Sequence, residues 1–195
     1  MRKSKAETAK TRERILEAAS AQFLSHGITE AGLAQLMKAA GLTHGGFYRH
    51  FASKDQLVSE ACSRAAQSLA SGLKSQIEGK PPDQALPLLV GKYLSRTHRD
   101  RPAIGCVLGA LGSELARADA KTREAATEGF LSLSRLIARQ LKNVPAKKAE
   151  VQSMAIAAAM IGAITVARIV PDSRISNSIL VGTRDHILRS VRRKR

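Results

Sequence analysis

Tryptophan is absent from this 195-residue chain, and with four phenylalanines and two tyrosines an aromatic ligand cage is not expected. The two cysteines, Cys62 and Cys106, have neither metal-ligand spacing nor the number a disulfide framework needs, so no metal and a reduced, cytoplasmic protein are expected. No stretch reaches the roughly 18 uninterrupted apolar residues of a membrane span. The most apolar run, Met154 to Val170, is alanine-rich and carries Thr165 and Arg168. The opening MRKSKAETAK has charge but no hydrophobic core behind it, unlike a secretion signal, and no membrane partner is expected. Alternating strand patterns and internal repeats are lacking too. So is catalytic machinery: Cys106 and His98 are the one tempting nucleophile–base pair, but Pro102 lies between them, no carboxylate clearly orients the histidine, and no cofactor motif exists. No catalytic residue and no cofactor are expected.

What the chain has in excess is positive charge and apolar helix-forming sequence. Its 44% hydrophobic content is ample for a core, and 32 basic against 16 acidic residues give a formal charge of +16, which makes phosphate polyanions plausible partners. The excess is unevenly placed. Residues 1–56 hold nine basic and five acidic side chains, so +12 falls on the remainder. Solubility, capture of an anionic ligand and non-specific DNA contact all accommodate that surplus. Two basic arms, Arg2, Lys3, Lys5 and Lys10 at one end and Arg192, Arg193, Lys194 and Arg195 at the other, fit either phosphate tracking or solvated tails.

From Thr11 to Leu24 the apolar residues Ile15, Ala18, Ala19, Phe23 and Leu24 recur at helical steps, and His26–Gly27 ends that helix. Thr29 or Glu30 opens a second helix with Leu33, Leu36, Met37 and Ala40 on its buried side, stopped by Gly41. Thr43 is placed to N-cap a third, short helix from about His44 to His50 through its hydroxyl. Two helices joined by a short glycine turn make a helix-turn-helix, whose second helix reads the major groove.

On that short helix Phe47 and Phe51 share the inward face, while His44, Gly45, Tyr48 and Arg49 share the other. Gly45 and Gly46 weaken a helix by about 1 kcal/mol each relative to alanine; in exchange they let the backbone come close to a phosphodiester. Tyr48 can reach phosphate, Arg49 phosphate or guanine, and Lys54 adds a charge at the next helix. Taken singly, each reads as loop or solvated surface. The whole array reads as a DNA face.

Residues 10–60 resemble the DNA-binding domain of the tetracycline-repressor (TetR) family, carried by ILEAASAQFLSHG (Ile15–Gly27), AAGLTHGGFYRHF (Ala39–Phe51) and SKDQL (Ser53–Leu57). The resemblance implies an all-α homodimer with an N-terminal three-helix helix-turn-helix domain, here residues 1–54, and a six-helix ligand-binding and dimerisation domain, here 55–195. It implies DNA contacts from Thr43, His44, Gly45, Gly46, Tyr48, His50 and Lys54, beside the Arg49 contact read from the helix face. Ala31 and Gly32 stand where the family has a phosphate-touching Thr or Ser pair, so Thr29 or backbone N–H groups replace that contact or it is missing. It further implies a repressor on a pseudo-palindromic operator in double-stranded DNA, its reading heads about one helical turn (~34 Å) or a simple multiple apart. A small-molecule effector among the middle helices would then swing the fourth helix and release DNA.

Beyond residue 57, breaks predict six helices at about 54–78, 83–98, 103–117, 120–142, 146–169 and 173–191, nine in all. Gly105, Gly109 and Gly112 make room for a ligand or for a neighbouring helix; Cys106 lines a pocket, senses oxidants, or is a small buried hydrophobe; Phe130 is a pocket wall or core. For the last two helices, Met154, Ala157, Ala158, Ile161 and Ile164 with Leu180, Ile187 and Val191 fit a dimer interface or the subunit's own interior. The resemblance favours the interface.

Overall fold

The computed structural model describes residues 4–142 and 144–192, so Arg2, Lys3 and Arg193–Arg195 of the two basic arms lie outside the described residues. Helix α1 (Lys5–His26) starts six residues before the apolar stripe does. A capping box causes this: the Glu7 N–H donates to Ser4 Oγ, and the Ser4 N–H donates to Glu7 Oε2 at 2.7 Å. Gly27, at φ 90°, lets the chain leave α1 in a conformation that disfavours other residues.

Helix α2 (Leu33–Ala39) opens at Gly32 rather than at Thr29 or Glu30. The N–H groups of Ile28 and Thr29 are held by the Glu114 carboxylate, 86 and 85 residues away, instead of pointing into a helix. The segment expected as a short α-helix is a 3-10 helix, His44–Arg49, tied by Gly46 N–H to Thr43 O and His50 N–H to Phe47 O. Thr43 precedes it but its hydroxyl makes no capping bond, which corrects that expectation.

Helix α3 (Lys54–Ile77) belongs to two apolar clusters at once. Leu57, Val58, Ala61, Cys62 and Ala65 join α1, α2 and the 3-10 helix, together with Val107, Leu111 and Leu115; Leu73 and Ile77 join the second cluster. The expected helix over 83–98 breaks into α4 (Pro82–Tyr93) and α5 (Arg96–Asp100), because Ser95 caps α5 by accepting the His98 N–H and the His98 ring takes the Tyr93 carbonyl. A 3-10 turn (Pro102–Ile104) and extended Gly105–Cys106 precede α6 (Val107–Leu115). Then come α7 (Ala120–Ala138), α8 (Ala146–Ile169) and α9 (Ser173–Arg192). Among the described residues there are nine α-helices and no strand, yet the expected nine are composed differently: one became a 3-10 helix and another split.

The C-terminal half is layered. Helix α7 packs on α3 and α8, α8 on α9, and α6 lies between α1 and α8. By length and composition α8 could cross a membrane, but Ile156, Ala157, Met160, Ala163, Ile164 and Ala167 are spent on the core between these layers. Two glycines set the closest approaches. A Cβ on Gly129 of α7 would lie 2.8 Å from Ala66 Cβ of α3, and one on Gly109 of α6 would lie 2.6 Å from Ile164 Cγ2 of α8.

Gly112 lies in α6 with nothing within 4 Å of its would-be Cβ. Gly112→Ala should therefore raise stability by about 0.5–1 kcal/mol through helix propensity. Gly129→Ala should lower it, since overpacking of ~1–3 kcal/mol exceeds the same gain. Thermal melts of the two variants check the opposite signs.

Candidate nucleic-acid interface and regulatory core

The recognition segment is a thin turn held from behind by aromatic rings. Phe47 and Phe51 are buried and stacked, centroids 5.6 Å apart, and the Arg12 guanidinium covers Phe51 at 4.6 Å. Arg12 also donates to the His50 carbonyl and pairs with Glu60. Two further cations beside α1 are similarly occupied, Arg14 by the Ala40 carbonyl and Arg64 of α3 by Glu13. In front of the rings stand His44, Gly45, Tyr48 and Arg49, all exposed, with Tyr48 at 67%. A Cβ at Gly45 would meet nothing, whereas one at Gly46 would touch Met37 Cε at 3.8 Å, so Gly45 is the open position of the pair. His50 is half-buried, set back toward α1.

Two residues expected at DNA make hydrogen bonds within the protein. Thr29 donates both its N–H and its hydroxyl to Glu114 Oε2, at 2.9 and 3.1 Å, so it joins the head to α6 rather than offering donors outward. Lys54 Nζ donates to the Ile28 carbonyl at 3.0 Å, which leaves its other two N–H bonds uncommitted by that contact. Glu114 thus grips the α1–α2 turn through three donors. Beside it, a Cβ on Gly27 would come within 2.9 Å of Glu114 Oε1. No local signal in the sequence marks this link.

Around α6 the expected pocket residues scatter. Gly105 lies outside the helix, with Arg168 Nη2 at 2.8 Å and the His98 ring at 3.1 Å from its would-be Cβ, and Gly109 is filled by Ile164; both make room for neighbouring side chains, not for a ligand. Cys106 sits with Leu69, Leu108, Gly129 and Leu133 at a narrow apolar crevice between α3, α6 and α7, and Phe130 packs partly buried on the same core. Cys106 and His98 do meet, but through the backbone. The Cys106 N–H donates to His98 Nε2 at 3.0 Å while His98 Nδ1 lies 2.6 Å from the Tyr93 carbonyl, so Nδ1 carries the proton and neither nitrogen is open to the thiol. Burial pushes the Cys106 thiol up, and pushes Cys62, beside Glu114, up to about 12. Both thiols are accordingly kept from ionising.

The expected dimer residues divide as well. Ala157, Ile164, Leu180 and Ile187 are buried in the subunit's own core, correcting their assignment to an outer face; Met154, Ile161 and Val191 are partly buried, and Ala158 is exposed. Helical rotation explains the error: the outward stripe of α8 lies one step round, on Val151, Ala155, Ala159, Gly162, Val166 and Ile169, spaced by steps of four or three. A shallow apolar groove runs between this stripe and Ile179, Gly182 and His186 of α9.

With this geometry in hand, comparison with known proteins is specific. Residues 15–61 match the model for bacterial regulatory proteins of the tetR family, and residues 82–175 match the C-terminal domain of LmrA/YxaF-like transcriptional regulators. The chain belongs to the tetR family of bacterial regulators. It is 42% identical over 59 residues to the probable acrEF/envCD operon repressor of Escherichia coli (strain K12), covering 30% of this chain and 27% of that protein. It is 29% identical over 133 residues to the uncharacterized HTH-type transcriptional regulator YxaF of Bacillus subtilis (strain 168), covering 67% of this chain and 70% of that protein. The matched segment thus spans about a quarter of the acrEF/envCD repressor's length. Among solved structures, reduced E. coli NemR superposes with a TM-score of 0.78 at 22% identity, covering 91% of this chain and 95% of that one. A tetR-family regulator from Cytophaga hutchinsonii gives 0.80 at 20%, covering 96% and 98%. At these identities the structures establish the shared fold.

Burial, assisted by nearby Arg168 and opposed by the Tyr93 carbonyl, lowers the His98 pKa below its ordinary 6.5. The unfolded chain then binds more protons than the folded one just below pH 6.5, so this contribution is complete above that value and is lost as pH falls through the folded pKa. His98→Asn should flatten the fall in Tm below pH 6.5 relative to the parent, checked by melts between pH 5 and 8; parallel profiles would refute the assignment.

Proposed function

We propose that this chain is a sequence-specific DNA-binding transcriptional regulator, a repressor released from its operator by a small molecule. The carrying observation is the ring-backed 3-10 turn that presents His44, Gly45, Tyr48 and Arg49 to solvent at the end of a helix-turn-helix. Family membership and the names of the matched repressors support the same reading. Residues 1–54 act as the reading head, with Thr43, Gly46, His50 and Lys54 flanking the contact face, and 55–195 as the regulatory part. Phosphate contacts fix the head on the duplex, and Arg49 supplies a candidate base contact. The Cys106–His98 pair has no free base, which supports reading the chain as a regulator in preference to an enzyme.

The outward stripe of α8 and the groove beside α9 support homodimerisation through these two helices, in which the small residues Ala155, Ala159 and Gly162 allow close approach. Two heads related by a two-fold axis then read a pseudo-palindromic site in the cytoplasm. The effector enters by opening the crevice between α3, α6 and α7. Because α6 carries Glu114 on the α1–α2 turn, a shift of α6 moves the head directly. The ligand need only favour one conformation by about 1–3 kcal/mol.

Binding to a fragment carrying the chain's own promoter, against random DNA of equal length at fixed salt, tests this reading. Arg49→Ala with Tyr48→Phe should abolish the preference, each base contact being worth ~1–3 kcal/mol. Gly45→Val should weaken DNA binding with Tm unchanged, since its side chain enters open space. Full specificity in both variants would refute the assigned face.

A further inference from the structure

A cavity of about 270 Å³ opens where α5, the end of α8 and the start of α9 meet, lined by Arg99, Asp100, Arg168, Pro171, Ser173 and Ser176. Its charge is unbalanced. Arg99 pairs with Asp100 at 2.6 Å and also donates to Ser176 and Asn177. Asp172 spends one carboxylate oxygen, Oδ1, on the N–H groups of Arg174 and Ile175. Arg168 pairs with no carboxylate among the described residues: Nε and Nη2 donate to the carbonyls of Arg99 and His98, at 3.1 and 2.9 Å, and Nη1 is buried without a hydrogen-bond partner. Burial pulls the Arg168 pKa down, yet a guanidinium does not lose its proton in a protein, so a residue that lines the cavity carries a charge paired with no carboxylate among the described residues.

We propose that this cavity binds a small organic monocarboxylate, held by Arg168 with the Ser173 hydroxyl as second donor. Among the lining residues Arg99, Asp100 and Arg168 leave one excess positive charge, which one negative charge would match, and guanidinium geometry suits a carboxylate. Ala167, Val170 and Pro171 supply an apolar wall for a short tail, and a volume just below the usual ~300–1,000 Å³ of ligand sites limits its size. This site is separate from the crevice between α3, α6 and α7. It is also wired to the reading head, a consequence that rests on the DNA-binding proposal. Arg168 holds the His98 carbonyl, His98 Nε2 holds the Cys106 N–H at the start of α6, and Glu114 near the other end of α6 holds the α1–α2 turn.

Melting the full chain in sodium butyrate, against sodium chloride and sodium phosphate of matched ionic strength, tests the site. Butyrate should raise Tm by about 2–4 °C over both controls. Ser173→Glu, at an exposed position, supplies a tethered carboxylate and should abolish the butyrate response while remaining folded; Arg168→Gln should abolish it too. No rise over chloride, an equal rise in phosphate, or an undiminished rise in Ser173→Glu overturns the proposal, whatever the DNA result. A butyrate rise that Ser173→Glu removes, with DNA affinity unaltered by butyrate, keeps the site and removes only its link to the head.

Discussion

The stacked pair of Phe47 and Phe51 against α1 is the constraint on which the reading head depends. Its surface turn has two consecutive glycines, a 3-10 hydrogen-bond pattern and no side-chain cap, each a weak local determinant. Buried rings compensate, because about 1.5–3 kcal/mol accompanies burial of a phenylalanine and the stack adds orientation. Arg12 completes the support by lying over Phe51 and bonding to the His50 carbonyl. With the turn fixed from within, its outer face is free to be polar, small and exposed.

That rigidity makes remote control possible. A turn that flexed by itself would not report a shift of α6, whereas one packed on α1 moves with it. Glu114 engages the turn at the other end of α1 through two backbone N–H groups and one hydroxyl, and charge-assisted bonds of this kind are stronger than neutral ones. The opposite end of α6 rests on His98 through the Cys106 N–H, and His98 in turn on Arg168. One nine-residue helix therefore carries polar contacts at both ends and apolar contacts to both core clusters between them.

Local features were legible where a residue's role depends on its neighbours in the chain. The inward Phe47 and Phe51 and outward Tyr48 and Arg49 follow from spacing, and the helices over 54–77, 146–169 and 173–192 from periodicity and proline or glycine breaks. Boundaries were missed where a side chain distant in sequence competes for backbone groups, as Glu114 does at Ile28 and Thr29. Ser4 and Glu7 were an available capping signal for the earlier start of α1. On α8, spacing alone left open which stripe faces inward, since alanines and isoleucines lie on both, and packing against α6, α7 and α9 chose it.

By itself the sequence determined an all-helical chain with an N-terminal helix-turn-helix and a basic, glycine-opened face, because periodicity and turn chemistry act over a few residues. Only the tertiary structure decided that Thr29 and Lys54 bond to protein groups, that Gly105 and Gly109 are filled by neighbours, and that Arg168 pairs with no carboxylate among the described residues. Those outcomes depend on contacts between residues tens of positions apart, and no local pattern encodes which distant side chain will arrive.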